Sequence, residues 1–145
     1  MVSGTELDAA VSEELVGNVF YPKSPLHDGG MIIRDGRIAA AGCILPLTSN
    51  NELSKQLGTR HRAAVGMSEA SDSVVVVVSE ETGNISVCIG GGITRDFTSI
   101  TLRERLYTEL LTPESDKDPG LIQRIVKIFS SRRSDETKSD DDKKQ

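Results

Sequence analysis

The sequence predicts a mixed α/β domain in which a mainly antiparallel β-sheet is flanked by helices. Three observations support this prediction. MIIRDGRIAAAGCIL places apolar runs on both sides of Asp35-Gly36, a pair typical of a two-residue hairpin turn. A second pair of apolar runs, VVVVVS and ISVCI, is separated by the polar turn residues 80–84. Apolar residues at helical spacing occur before, between and after these strands.

The first half of the chain predicts a helix, a hairpin and a second helix. Apolar residues recur at helical spacing over 5–19, and the prolines of YPKSP end that helix. The polar turn LHDGG then leads into the hairpin around Asp35. A helical turn is expected at 52–57, and GTRHRAAVGMSEA predicts a loop entering the second helix.

The second half predicts an antiparallel strand pair and a final helix. The β-branched run at 74–79 is typical of a central, buried strand, and residues 85–89 return antiparallel to it. The three consecutive glycines that follow predict a turn. Residues 99–111 predict a helix, and Thr101 and Glu104 within it resemble a capping box.

Composition narrows the function classes. The 145 residues carry a net charge of −5 and only 3% aromatics, so neither a basic surface for nucleic acid nor a base-stacking surface is expected. An anionic ligand therefore requires a local basic pocket. Cys43 and Cys88 lie in apolar strands and are interpreted as buried structural thiols, which suits a reducing cytoplasm. No signal peptide and no run long enough to span a membrane is visible, so the chain is expected to be soluble.

Composition also divides the chain into three parts. Residues 1–112 form the folded body, and 113–130 form a linker and a short amphipathic helix at 121–129. That helix is expected to dock on the body or on a partner, with a membrane-surface role as the alternative. Residues 131–145 form a charged tail without large apolar residues, which is expected to be disordered.

Polar clusters occur at three places where strands or helices begin or end. In the first, Asp28 precedes two glycines, so its carboxylate could hold a metal or accept a proton while the backbone approaches a ligand closely. The alternative is an ordinary Asp-Gly turn. In the second, Arg60, His61 and Arg62 begin a helix, which predicts a phosphate site; the alternative is a solvated turn. The third, SEETG at 79–83, suits a ribose, a metal or a solvated hairpin turn.

Together the clusters indicate an anionic nucleotide at a helix N-terminus, with a carboxylate available for a metal. That combination suits phosphoryl or nucleotidyl transfer, where catalysis is mainly positioning and charge neutralisation. The residues alone do not choose ATP over other nucleotides.

LHDGG at 26–30 and GTRHRAAVGMSE at 58–69 resemble the paired DGA and RHR motifs of the diadenylate cyclase (DAC) family. Their order and spacing match, as do IAAAGCILPL at 38–47 and SEETGNISV at 79–87, so the resemblance covers roughly residues 5–111. It is greatest to the membrane-anchored bacterial members. It implies the DAC-domain fold and an enzyme that joins two ATP into cyclic di-AMP, releasing two pyrophosphates. It also implies a divalent metal, Mg or Mn, and a homodimer in which two protomers, each holding one ATP, meet face to face.

The resemblance further implies roles for individual residues. Asp28 corresponds to the catalytic, metal-binding aspartate, and His27 beside it is expected to touch the ion. Arg60, His61 and Arg62 correspond to the phosphate-binding triplet and count among the catalytic residues. The other residues expected to bind the nucleotide are Gly29 through its backbone, Leu45 at the adenine, Thr59 beside the triplet, and Ser79, Glu80 and Glu81 near the phosphates and metal.

The chain also departs from the family pattern. Gly30 stands where the family usually has Ala, and Ile44 where relatives often have Tyr. Relatives have a further helix and strand, and membrane helices before those, so the domain is expected to be truncated at its N-terminus. Membrane attachment of this cytoplasmic domain would come only through such upstream segments. A non-catalytic adenine-nucleotide-binding module is the alternative function, and a regulatory interaction domain using the 121–129 helix is a third; the intact Asp28 and basic triplet favour the cyclase.

Overall fold

The computed structural model describes residues 3–50, 52 and 57–111. The predicted turn at 52–57 falls largely outside these residues, and the predicted parts 113–130 and 131–145 fall wholly outside them. In chain order the elements are β1 (Thr5–Ala10), α1 (Glu13–Val19), β2 (Gly30–Arg34), β3 (Arg37–Cys43), α2 (Thr59–Ala70), β4 (Val75–Val78), β5 (Ile85–Ile89), β6 (Gly92–Phe97) and α3 (Ser99–Leu111). The mixed α/β prediction is confirmed. The strands form two three-stranded antiparallel sheets, ordered β1-β3-β2 and β4-β5-β6.

The hairpin predicted around Asp35-Gly36 joins β2 and β3. Arg34 pairs with Arg37, and both turn residues have positive φ, 51° for Asp35 and 73° for Gly36. A two-residue turn of this kind matches the twist of the strands that it connects. The hairpin therefore fixes the direction of β2. The Asp28 cluster lies at the end of β2 that is farther from the hairpin turn.

The single helix predicted over 5–19 is wrong. Residues Thr5–Ala10 form β1, which pairs antiparallel with β3, and the helix begins only at Glu13. The Ser12 hydroxyl caps it by accepting a hydrogen bond from the Leu15 N–H at 3.2 Å. The open edge of β3 offers backbone partners that outweigh the helical apolar spacing, and Val11 is left 45% exposed.

The main core lies where α2 packs on the second sheet. Its buried cluster consists of Leu57, Ala64, Val65, Val77 and Cys88. The prediction that the valine run is a central strand is wrong, because β5 is central and β4 pairs only with β5 among the described strands. Val76 and Val78 are accordingly 41% and 50% exposed. A run of valines records β-propensity but not the number of neighbouring strands.

The end of the described chain differs from prediction in two details. After the glycine turn the chain forms β6, which the sequence analysis did not predict because Arg95 and Asp96 interrupt the apolar pattern. The capping box of α3 lies three residues earlier than expected. The Thr98 hydroxyl accepts from the Thr101 N–H at 3.2 Å, and the Thr101 hydroxyl accepts from the Thr98 N–H at 2.9 Å.

Both cysteines are buried, unpaired thiols, which confirms their interpretation. Cys43 is 1% exposed and Cys88 is fully covered. Burial raises the pKa of both, that of Cys88 to about 11, so neither is a thiolate near neutral pH. Within residues 3–50, 52 and 57–111, no helix has the length and apolar character needed to cross a membrane.

Candidate functional site

The turn before β2 presents Asp28 to solvent beside an oriented histidine. Nδ1 of His27 lies 2.7 Å from the Ser24 carbonyl oxygen, which can only accept, so Nδ1 carries the proton. The Ser24 hydroxyl in turn donates to the carbonyl of Val19 at 2.6 Å. In the neutral ring, Nε2 of His27 is then the nitrogen whose lone pair can bind a ligand. A carbonyl bonded to the distal ring nitrogen is the usual way in which a metal-ligating histidine is oriented.

The two glycines of this turn lie against the end of β3. A Cβ at Gly29, where φ is 113°, would come within 2.7 Å of the Gly42 carbonyl carbon and 2.9 Å of the Cys43 oxygen. A Cβ at Gly30 would lie 2.9 Å from Cδ1 of Leu45. The missing side chains thus allow the Asp28 turn to contact β3 directly, and they bring Leu45 over the backbone of Gly30.

Replacing Gly29 with Ala is expected to destabilise the chain by about 1–3 kcal/mol, because the added Cβ meets immobile backbone at a positive φ. The matched control is Gly36→Ala, since Gly36 also has a positive φ but nothing within 4 Å of its added Cβ. Urea unfolding of both variants separates the cost of a side chain at a positive φ from the cost of the close contact with β3. Equal losses would show that the packing of Gly29 on β3 contributes nothing.

The N-terminus of α2 carries the basic triplet. Gly58 occupies the N-cap position without a side-chain hydrogen bond, and the first turn has no acidic residue. Free N–H groups and the helix dipole therefore favour an anion here. Arg60 extends from this end to the β4–β5 turn, where its Nη2 lies 2.7 Å from Oε1 of Glu80. Both side chains are substantially exposed, so this ion pair is weak and a phosphate could replace Glu80.

Arg62 offers a second donor. Its Nε is buried and has no hydrogen-bond partner within the described part of the chain. An unpaired guanidinium N–H gains a charge-assisted bond when an anionic oxygen enters. His61 between the two arginines is half-buried, and burial followed by the charge of Arg95 lowers its pKa below the ordinary value near 6.5. Arg95, on β6, was missed by the sequence analysis because only the fold brings its charge near His61.

The lowered pKa of His61 gives a pH-dependent stability. As pH falls through about 6.5, the unfolded chain takes up this proton before the folded chain does, so unfolding becomes easier. This loss is absent above that pH. We expect His61→Gln to flatten the decline in unfolding free energy between about pH 7 and about pH 5.5. Urea unfolding over that range measures it, and identical slopes for wild type and variant would contradict the assignment.

The remaining predicted residues lie around these features. The Ser79 hydroxyl accepts a hydrogen bond from the Thr82 N–H at 3.3 Å, and the Ser79 carbonyl accepts from the Gly83 N–H at 2.9 Å. Ser79 therefore shapes the turn that presents Glu80 to Arg60. Thr59, the first residue of α2, and Glu81 are exposed. The direct contacts bring together Arg60 with Glu80, and Gly30 with Leu45.

The donor set fits a metal shared with a substrate rather than an all-protein cage. Within the described ranges no three His, Cys, Asp or Glu side chains form a metal-binding group. His27 and Asp28 offer one ring nitrogen and one exposed carboxylate. Mg²⁺ is commonly held by one or two carboxylates together with phosphate oxygens of a substrate, and Mn²⁺ suits similar oxygen-rich sites. The two residues therefore suit such an ion in the presence of a polyphosphate.

Comparison with known proteins identifies relatives of this chain. Residues 1–93 match the family model DAC, described as DisA bacterial checkpoint controller nucleotide-binding. The chain is 51% identical over 107 residues to the cyclic di-AMP synthase CdaA of Bacillus subtilis, covering 74% of this chain and 39% of that protein. It is 49% identical over 115 residues to the diadenylate cyclase of Listeria monocytogenes, covering 79% and 42%. The chain thus spans about two fifths of the length of these relatives.

Solved structures agree with the fold. A double cysteine mutant of DacA from Staphylococcus aureus superposes with a TM-score of 0.72 at 50% identity, covering 75% of this chain and 73% of that one. A hypothetical membrane spanning protein from Bacillus cereus gives a TM-score of 0.64 at 45% identity, covering 66% and 47%.

Proposed function

Because the chain belongs to the diadenylate cyclase (DAC) family, we propose that it condenses two ATP molecules into cyclic di-AMP and releases two pyrophosphates. The observation that supports this most is the basic end of α2. An uncapped helix N-terminus, the weakly paired Arg60 and the unpartnered Nε of Arg62 converge there. That arrangement favours a polyphosphate in a body whose overall charge repels one.

The nucleotide would lie between the three polar clusters. Its triphosphate would contact Arg60, His61 and Arg62, with Thr59 at the same helix end and Ser79 and Glu81 near the phosphates. The phosphate would replace Glu80 as the partner of the Arg60 guanidinium. The adenine would pack on Leu45, and the backbone of Gly29 would lie against the nucleotide because no Cβ intervenes.

In this reaction the ribose 3′-hydroxyl of one ATP attacks the α-phosphorus of the other. A new O3′–P bond forms, the bond from that phosphorus to the pyrophosphate oxygen breaks, and Asp28 accepts the hydroxyl proton. Arg60 and Arg62 stabilise the negative charge that builds up on the phosphates. The 3′-hydroxyl of the second ATP then attacks the α-phosphorus of the first in the same way. This step closes the ring and releases the second pyrophosphate. Mg²⁺ or Mn²⁺, held by Asp28 and Nε2 of His27, would supply further charge neutralisation.

Two protomers are needed, since each site holds one ATP and the two nucleotides must face each other. A two-fold dimer provides this arrangement because it places identical surfaces opposite one another. We expect the initial rate per chain to rise with chain concentration while the dimer is incompletely formed. A rate per chain that stays constant at concentrations where sedimentation shows only monomer would contradict the dimeric arrangement.

A non-catalytic adenine-nucleotide-binding module remains the second candidate. It is favoured by Gly30, which stands where the family usually has Ala and whose missing Cβ leaves that position to the side chain of Leu45. The two candidates differ in a simple observation: the module binds ATP without consuming it, whereas the cyclase converts it in the presence of Mg²⁺ or Mn²⁺. Liquid chromatography of the nucleotides after incubation distinguishes them.

The names of the relatives also bear on the cellular setting. We propose that residues 1–112 act as a cytoplasmic catalytic domain, where ATP is available. The solved relative from Bacillus cereus is titled a membrane spanning protein. Any membrane attachment would come through segments other than the described ones. Fractionation of cells that produce the natural gene product, followed by detection of this domain, tests this placement.

A further inference from the structure

The segment that carries Leu45 is fastened to α2 by Thr48. The Thr48 N–H donates to the Arg62 carbonyl at 3.0 Å, and the Thr48 hydroxyl donates to Oε1 of Glu69 at 2.8 Å. Thr48 is only 3% exposed. Its hydroxyl is therefore a buried donor that bonds the carboxylate of an exposed residue, Glu69.

The helix and this segment also touch backbone to backbone. A Cβ at Gly66 would lie 2.3 Å from the Pro46 oxygen, 2.5 Å from the Thr48 nitrogen and 2.6 Å from the Leu47 carbonyl carbon. Only a residue without a side chain permits this approach. The segment cannot move closer to α2, and the two bonds of Thr48 keep it from moving away.

The Glu69 side chain also lies close to the β5–β6 turn. A Cβ at Gly91 would lie 3.0 Å from Cγ of Glu69, so the side chain lies directly over the β5–β6 turn. The neighbouring Ser68 hydroxyl accepts from the Gly91 N–H at 3.1 Å, which fastens that turn to α2. The acceptor of the Thr48 hydroxyl, an exposed residue, thus lies beside a turn that is itself bonded to α2.

We propose that Thr48 and Glu69 form a positioning pair that holds Leu45 at a fixed place relative to the basic end of α2. This inference rests on the proposed function, which places the base at Leu45 and the phosphates at the triplet. Arg62 links the two contacts, because its carbonyl holds Thr48 while its side chain offers the buried Nε to a phosphate. The pair therefore aligns the base contact with the phosphate contact, so that one ATP molecule can make both.

The test compares two ligands in the presence of Mg²⁺: ATP, which needs both contacts, and inorganic tripolyphosphate, which needs only the basic end of α2. Thr48→Val removes the hydroxyl with little change in shape. We expect the calorimetric Kd of ATP to rise about tenfold, while that of tripolyphosphate stays within about twofold. In turnover, KM for ATP is expected to rise more than kcat falls. Thr48→Ser keeps the hydroxyl and is expected to restore ATP binding.

Ser49→Ala is the matched control, since Ser49 is the exposed neighbour of Thr48 and should change neither Kd. Glu69→Met removes the acceptor instead of the donor and is likewise expected to weaken the binding of ATP but not that of tripolyphosphate. It keeps the test available should Thr48→Val fail to fold. Equal weakening of both ligands, or no loss of ATP binding, would overturn the pairing. A wild-type chain that binds neither ligand would instead reject the proposed function itself, so the two failures are distinguishable.

Discussion

Asp28→Asn is expected to reduce cyclic di-AMP formation at least about a thousandfold while leaving the fold intact. General-base catalysis contributes about 10²–10⁴-fold, and Asn can neither take the proton of the 3′-hydroxyl nor supply a negative ligand to a metal. The side chain is exposed, so the free energy of unfolding should change by no more than about 0.5 kcal/mol. Initial rates followed by liquid chromatography and mass spectrometry, together with urea unfolding, measure both quantities.

Asp35→Asn is the matched control for this change. Asp35 is an exposed aspartate at the other end of β2, and its positive φ of 51° is readily adopted by Asn. The same chemical substitution is therefore made in the turn at the other end of β2, away from the proposed site. Turnover by Asp28→Asn within about tenfold of the wild-type rate would show that Asp28 is not the general base.

Arg60→Ala is the second change with a large expected effect. Removing a charge-assisted bond to a phosphate is expected to weaken ATP binding about 10–100-fold, which corresponds to roughly 1.5–3 kcal/mol. Stability should change little, because the ion pair with Glu80 that is lost lies at the surface. Arg60→Lys keeps the charge but not the planar fork, so an intermediate affinity is expected. Titration calorimetry with ATP and Mg²⁺ measures the affinity.

Arg34→Ala controls for the general loss of one positive charge. Arg34 is exposed at the end of β2 opposite the Asp28 turn. If the effect of Arg60 depended only on net charge, both variants would lose ATP affinity equally. Their loss relative to the wild type would then vanish at high salt. Unchanged ATP affinity in Arg60→Ala would remove Arg60 from the phosphate site.

The elements best predicted from the sequence are those governed by local signals. Asp35-Gly36 determines a hairpin through the positive φ that both residues adopt. The second and third helices follow from apolar spacing within 12 or 13 consecutive residues. In contrast, β1 depends on an antiparallel partner some 30 residues later, and its helical spacing was misleading because pairing between distant strands leaves no local trace. The edge position of β4 was missed for the same reason.

The candidate site shows a similar division. Asp28 and the triplet from Arg60 to Arg62 stand out because charged residues beside glycines at element boundaries are chemically distinctive. Thr48 and Glu69 do not stand out, since neither belongs to a local motif and their bond joins residues 21 apart. Gly66 did carry a usable signal: a glycine inside a helical pattern often marks close backbone contact.

The most direct test of the proposed cyclase activity is to incubate the purified chain with ATP and Mn²⁺ or Mg²⁺ and to identify the products by mass spectrometry. A diadenylate cyclase gives cyclic di-AMP and pyrophosphate in a ratio of one to two, with no accumulation of ADP or AMP, and both products are expected to be lost in Asp28→Asn. A folded chain that binds ATP at the α2 N-terminus but leaves it unchanged, or hydrolyses it to ADP or AMP, would contradict the cyclase assignment.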